Sequence, residues 1–248
     1  MASFFNKLKA KWKDNKFVCI GLDKGDFEFD KTVIDQTHDL VCCYKPNSAF
    51  YWSEGVAGLK ALEETVKYIH TNYPNVPVLI DAKVADVDNT NVAYAKALFE
   101  WLNADAVTIN PYPGKEAFSS FLERKDKGIF VWLKPSSEGT SKLQDFYQTL
   151  AEDIAKNWNV LGNCGVIVGA TYPEELKKVR EIVGDMPILI PGIGAQGGDI
   201  KATVLAGKDS QGQGMIISSS RGIIFAENPR EATLKLHQEI VSSLRGTK

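Results

Sequence analysis

Histidine is scarce in this chain: His38, His70 and His237 are all that 248 residues contain. None stands at a metal-binding spacing from another ligand type, which argues against a zinc site, and each reads as a surface or partly packed side chain. Cysteine is almost as rare, with Cys19, Cys42, Cys43 and Cys164. No CxxC occurs, so a redox motif or a disulfide framework is excluded, and the thiols read as reduced and buried in a cytoplasmic protein. No apolar run approaches the length of a membrane span. Neither sign of charge dominates: the net charge is −2, so nothing points to nucleic acid or an anionic membrane as partner. Linkers, low-complexity tracts and composition shifts are absent as well. One domain over residues 1–248 is the simplest expectation.

What the chain does contain is a recurrent pattern. Eight short apolar runs occur, at Phe17–Leu22, Leu40–Tyr44, Val76–Ile80, Ala106–Ile109, Ile129–Leu133, Gly165–Val168, Ile188–Ile190 and Met215–Ser218. Several are rich in Val and Ile, as buried parallel strands are. Helix-like segments lie between them, at Leu59–Tyr68, Val92–Leu102, Phe146–Trp158, Pro173–Val183 and Ala232–Leu244. Pro173, Glu174 and Glu175 form a helix start, with proline early and acids in the first turn. The lysine-rich stretch at 1–14, with Phe4, Phe5, Leu8 and Trp12 at helical spacing, lacks the apolar core of a signal peptide and reads as a helix closing one end of the domain. Eight strand–helix units at about 31 residues each match a (β/α)8 TIM barrel. An open doubly wound sheet is the competing arrangement. Trp52, Trp101, Trp132 and Trp158 read as packing between helices and barrel.

In a barrel, chemistry sits where strands end and the following loops begin. The third run leads into Asp81-Ala82-Lys83-Val84-Ala85-Asp86. Residues i and i+2 of a strand share a face, so Asp81 and Lys83 point the same way, and Asp86 follows where the chain turns. Burying three charges is costly unless they pair. With an acid on either side, Lys83 reads as a held proton donor rather than a free base. Polar residues crowd other strand ends too: Asp23, Lys45, Ser136 and Ser218-Ser219-Ser220-Arg221. The glycine-rich stretch Gly192–Gly198 and Arg221 together suit a phosphate, through close backbone N–H groups and a planar guanidinium. Gln196 adds a neutral donor.

Taken together these motifs resemble a known family. Asp81-x-Lys83-x-x-Asp86 with Asn89-Thr90, Pro-Gly-Ile-Gly-Ala-Gln-Gly-Gly at 191–198, and Ser-Ser-Arg-Gly-Ile-Ile at 219–224 are similar to orotidine 5′-phosphate decarboxylases. The microbial branch, with Asn-Pro-Tyr-x-Gly after strand 4, is the best match, here at 110–114. The resemblance runs from about Val18 to about Pro229. It implies conversion of orotidine 5′-phosphate to UMP and CO2 in pyrimidine biosynthesis, with no metal and no cofactor. It implies further that Asp23 holds a ribose hydroxyl and that Lys45 contacts ribose and the catalytic charges. Asp81 would face the substrate carboxylate, and Lys83 would protonate C6. Ser136 or its neighbour Ser137 would contact the pyrimidine, and Pro191, Gln196 and Arg221 the phosphate end. Asp86 and Thr90 would reach the active site of the neighbouring subunit of a homodimer.

Val84-Ala85, Asp88, Pro113 and Pro135 depart from that family's usual residues, all between motif positions. Related barrels that act on sugar phosphates with Mg2+ carry an acid at the strand 2 end and a histidine at strand 5. Lys45 and Ser136 stand there instead, which argues against that reading. A nucleotide-binding regulator without catalysis is the other alternative, and retention of Asp81, Lys83 and Asp86 argues against it.

Overall fold

A computed structural model of the chain describes residues 3–136, 146–193 and 199–246. In chain order the elements are α1 (Phe4–Lys13), β1 (Val18–Leu22), α2 (Phe27–Thr37), β2 (Val41–Pro46), α3 (Ser48–Ser53), α4 (Gly55–Asn72), β3 (Leu79–Val84) and α5 (Asp88–Ala95). There follow β4 (Ala106–Ile109), α6 (Ser119–Leu122), β5 (Gly128–Lys134), α7 (Tyr147–Asp153), β6 (Cys164–Val168), α8 (Pro173–Val183), β7 (Ile188–Pro191), α9 (Ile200–Gly207), β8 (Met215–Ser219), α10 (Arg221–Ile224) and α11 (Pro229–Arg245). The strands run in the order β2-β1-β8-β7-β6-β5-β4-β3. Parallel bridges Tyr44–Val78 and Asn47–Asp81 join the two ends of that order. The sheet therefore closes into a (β/α)8 barrel, and the open doubly wound alternative falls.

Strands β1, β2, β4, β6 and β8 are buried at every position. That is the consequence of one face lining the barrel and the other lying under helices, and it explains their unbroken apolar runs. Inside the barrel, large and small residues alternate. A Cβ on Gly165 would come within 2.4 Å of the Phe130 ring, and one on Gly128 within 2.5 Å of Phe4. Helix α1 does close one end, at the strand starts. Its Phe4 and Phe5 pack on Phe130, Lys7 Nζ pairs with Asp105 at 2.9 Å, and Trp12 Nε1 donates to the Met215 carbonyl at 2.8 Å. The opposite, C-terminal mouth stays open. All four cysteines are free and buried. Among the described residues no helix is long and apolar enough to cross a membrane.

Local signals place most helices. Asp26, Asp199 and Asn228 accept from the backbone N–H groups of Phe29, Ala202 and Glu231, capping α2, α9 and α11, and Pro173 opens α8. Helix α2 has no place in the apolar pattern because two of its four buried residues are polar, Asp30 and Thr37. The segment after β3 is shorter as an α-helix than its pattern suggests: α5 passes into a π-helical turn at Lys96–Trp101. The third strand also differs. It starts at Leu79 rather than Val76 and continues through the charged residues to Val84, because those charges are paired inside the barrel mouth.

Candidate active site

The mouth holds a cavity of about 330 Å³, lined by Asp23, Lys45, Asp81, Lys83, Ser136, Pro191 and Arg221 among others. Seven strand-end residues singled out in the sequence thus meet in one place. Asp23 follows β1 directly, and its Oδ1 is buried without a hydrogen-bond partner among the described residues. An acceptor in that state calls for a donor from a ligand or water. Arg221 begins α10, just past β8, and is exposed at the rim.

The floor of the cavity is an ion-pair network. The Asp81 carboxylate, 7% exposed, takes Lys45 Nζ on Oδ2 at 2.9 Å and Lys83 Nζ on Oδ1 at 2.5 Å. Thr108 Oγ1 donates to the same Oδ1 at 2.8 Å. Burial by itself would raise the Asp81 carboxyl, but the two ammonium groups outweigh it and hold it well below the usual carboxylate range. Lys45 shows the converse balance. Burial disfavours its ammonium, yet the charges of Asp81 and Asp23 prevail and push its pKa above the ordinary value. Asp81 and Lys83 do meet, though not through a regular strand: Lys83 has φ +46°, backbone that non-glycine residues rarely adopt.

Two predicted residues lie apart. Asp86 is exposed; its carboxylate accepts from the N–H of its neighbour Val87 at 2.7 Å, and its backbone carbonyl accepts from Asn91 Nδ2 at 2.7 Å. Thr90 is half-buried on α5. Neither lines this chain's cavity. Gln196 and Ser137 fall outside the described residues, whereas Ser136 lines the cavity.

Residues 16–236 match the family described as orotidine 5′-phosphate decarboxylase / HUMPS family. The chain belongs to the orotidine 5′-phosphate decarboxylase family. An orotidine 5′-phosphate decarboxylase of Cellvibrio japonicus is 42% identical, with 96% of this chain and 98% of that protein covered. One from Ralstonia pickettii is 44% identical with 90% of each covered. Among solved structures, Leishmania donovani OMP decarboxylase superposes with a TM-score of 0.90 at 36% identity, covering 98% of this chain and 99% of its own. Leishmania donovani UMP synthase gives 0.92 at 38% identity, and there the chain covers 98% of itself and 56% of the longer protein. This family member is therefore an enzyme, a carboxy-lyase.

The decarboxylase fold also brings in residues that sequence reasoning missed. Trp132 does not pack between helices and barrel. It lines the cavity, with its ring centroid 5.7 Å from Lys83 Nζ, within cation–π reach. Trp52 and Trp101 are about half exposed, and only Trp158 is buried as expected. Asn47 lines the cavity from the end of β2. Gly169 follows β6 where a Cβ would lie 2.5 Å from Ser136 Cα, so a side chain there would displace Ser136. Alternation along β5 puts Trp132 on the same face as Phe130, two residues earlier, but the alternation does not say which face looks into the barrel.

Proposed function

We propose that this chain converts orotidine 5′-phosphate to UMP and CO2 in de novo pyrimidine biosynthesis, with Lys83 protonating C6. The bond from C6 to the carboxylate breaks, CO2 leaves, and the electron pair stays on C6. The Lys83 ammonium gives a proton to that carbon, forming UMP, and regains one from solvent. The pyrimidine ring barely delocalises a C6 carbanion. A fixed ammonium aimed at it therefore stabilises the transition state more than the ground state. Asp81 repels the bound carboxylate and not the neutral CO2, while holding both lysines in place. Asp23 and Lys45 hold the ribose, Ser136 the pyrimidine, and Pro191, Gln196 and Arg221 the phosphate end. The phosphate grip, remote from C6, supplies binding energy that positions the base. The reaction as proposed uses the chain's own side chains and no cofactor.

The observation that carries this reading is the shared Asp81 carboxylate, which fixes the Lys83 ammonium at 2.5 Å in an open cavity beside an arginine. The active form is a cytoplasmic homodimer in which Asp86 and Thr90 complete the partner's site. Their position outside this chain's own cavity supports that assignment. The test is an ultraviolet assay with orotidine 5′-phosphate, with and without EDTA. Turnover to UMP unaffected by chelator is expected. Activity lost on chelation would favour the metal-assisted sugar-phosphate chemistry of related barrels, and UMP binding without CO2 release would mark a regulator.

A further inference from the structure

The β3–β4 pairing steps from Ile80↔Val107 to Val84↔Ile109. Three residues of β3, Asp81 to Lys83, therefore face the single residue Thr108 of β4. Such a bulge re-aims side chains and leaves backbone groups without ladder partners. At Lys83 it also demands the φ of +46°, a conformation that persists only where surrounding contacts enforce it. The enforcing contact is visible. Lys83 N donates to Thr108 Oγ1 at 2.9 Å, and that hydroxyl donates its one proton to Asp81 Oδ1 at 2.8 Å. Thr108 is fully buried and does not line the cavity. It touches the catalytic lysine only through its main chain, and the carboxylate that pairs with it only through the hydroxyl.

We propose that Thr108 is a positioning residue for decarboxylation, its hydroxyl pinning the bulge that aims the Lys83 ammonium and the Asp81 carboxylate at the reacting carbon. The proposal rests on the assignment of Lys83 as proton donor. A valine at 108 keeps the shape of threonine and removes the hydroxyl. The Lys83 N–H then loses its partner, the strained backbone relaxes, and the ammonium moves off line. Displacements of about 1 Å at a reacting centre can slow catalysis on the order of a hundredfold. The proposed phosphate contact Arg221 lies past β8, away from the β3–β4 bulge.

The experiment compares Thr108→Val, Thr108→Ser and Thr108→Cys with wild type, reading kcat, KM, UMP affinity and Tm. For Thr108→Val, kcat should fall roughly ten- to a hundredfold with UMP affinity held within about threefold, as expected for a lost buried hydrogen bond acting in the transition state. Thr108→Ser, which keeps the hydroxyl, should recover most of kcat. A purely structural role would lower Tm while leaving kcat per folded molecule intact. Wild-type kcat in Thr108→Val overturns the proposal. If that variant does not accumulate as folded protein, Thr108→Cys, whose thiol is a weak donor, carries the same test, and wild-type kcat there overturns it too. Lys83→Ala is assayed beside them. If it is active, the proton-donor assignment fails and this proposal with it. If it is inactive and Thr108→Val is normal, only the role of Thr108 is refuted.

Discussion

Replacing Asp81 by asparagine should destabilise the barrel more than replacing either lysine it holds. The reason is the asymmetry of the two ion pairs. In the Lys45–Asp81 pair both side chains are 8% exposed, whereas the Lys83 side chain is 34% exposed. Asp81→Asn strands the Lys45 ammonium in a nearly dry site, and breaking a buried pair in this way costs about 3–5 kcal/mol. In a chain of this size that is on the order of 10 °C in Tm. Lys45→Met leaves Asp81 with Lys83 and Thr108 as partners, so it should be milder. Lys83→Ala should be mildest, because a pair open to solvent contributes only about 0–1 kcal/mol. The double variant Asp81→Asn/Lys45→Met removes both buried charges and should recover most of the loss. Urea unfolding followed by tryptophan fluorescence, run as a double-mutant cycle, reads all four values. If Asp81→Asn proves no worse than Lys83→Ala, or the double variant is as unstable as the sum of its parts, the network is not what holds these charges in place.

Arg221→Ala should lower kcat/KM on the order of ten- to a hundredfold, the value of a charge-assisted hydrogen bond to phosphate, and an unchanged kcat/KM would put the phosphate elsewhere. Mixing Lys83→Ala and Asp86→Ala subunits by denaturation and refolding should restore roughly a quarter of wild-type activity, because half the dimers are mixed and each has one intact site. A mixture as inactive as its parents, with dimers confirmed by sedimentation, would confine Asp86 to its own subunit. A pH effect should arise outside the cavity lining. Asp30 accepts from Tyr51 and Thr65, and burial, with Asp26 and Asp23 adding, raises its carboxyl to about 7. The folded state then holds the proton more tightly than the unfolded chain, where the pKa is about 3.9. This contribution to stability is complete below about pH 4 and is lost as pH rises through about 7. Asp30→Asn should flatten that decline in Tm between pH 4 and 8, and an unchanged slope would contradict it.

The elements readable from sequence are those whose cause is local. Ala106–Ile109 and Pro173–Val183 coincide with β4 and α8, one because a fully buried strand is an unbroken apolar run, the other because proline and two acids mark its start. Helix α2 is hidden because its buried Asp30 takes hydrogen bonds on Oδ2 from Tyr51 of α3 and Thr65 of α4, partners no local pattern reveals. The charged triad stands out, and the strand spacing rightly expects Asp81 and Lys83 to meet, although a bulge and not regular alternation brings them together. The bulge that aims them is illegible, because it is held by a hydroxyl on the next strand. Trp132 escapes for a related reason: whether a strand residue faces the cavity or the helices depends on barrel register, a property of all eight strands together.

The central claim is that the Lys83 ammonium delivers the proton to C6, and Lys83→Ala tests it most directly. Single-turnover CO2 release from orotidine 5′-phosphate should fall to background in this variant, while calorimetry finds UMP affinity retained to within about tenfold, since the phosphate and ribose contacts remain. Near-normal CO2 release from folded Lys83→Ala would contradict the account.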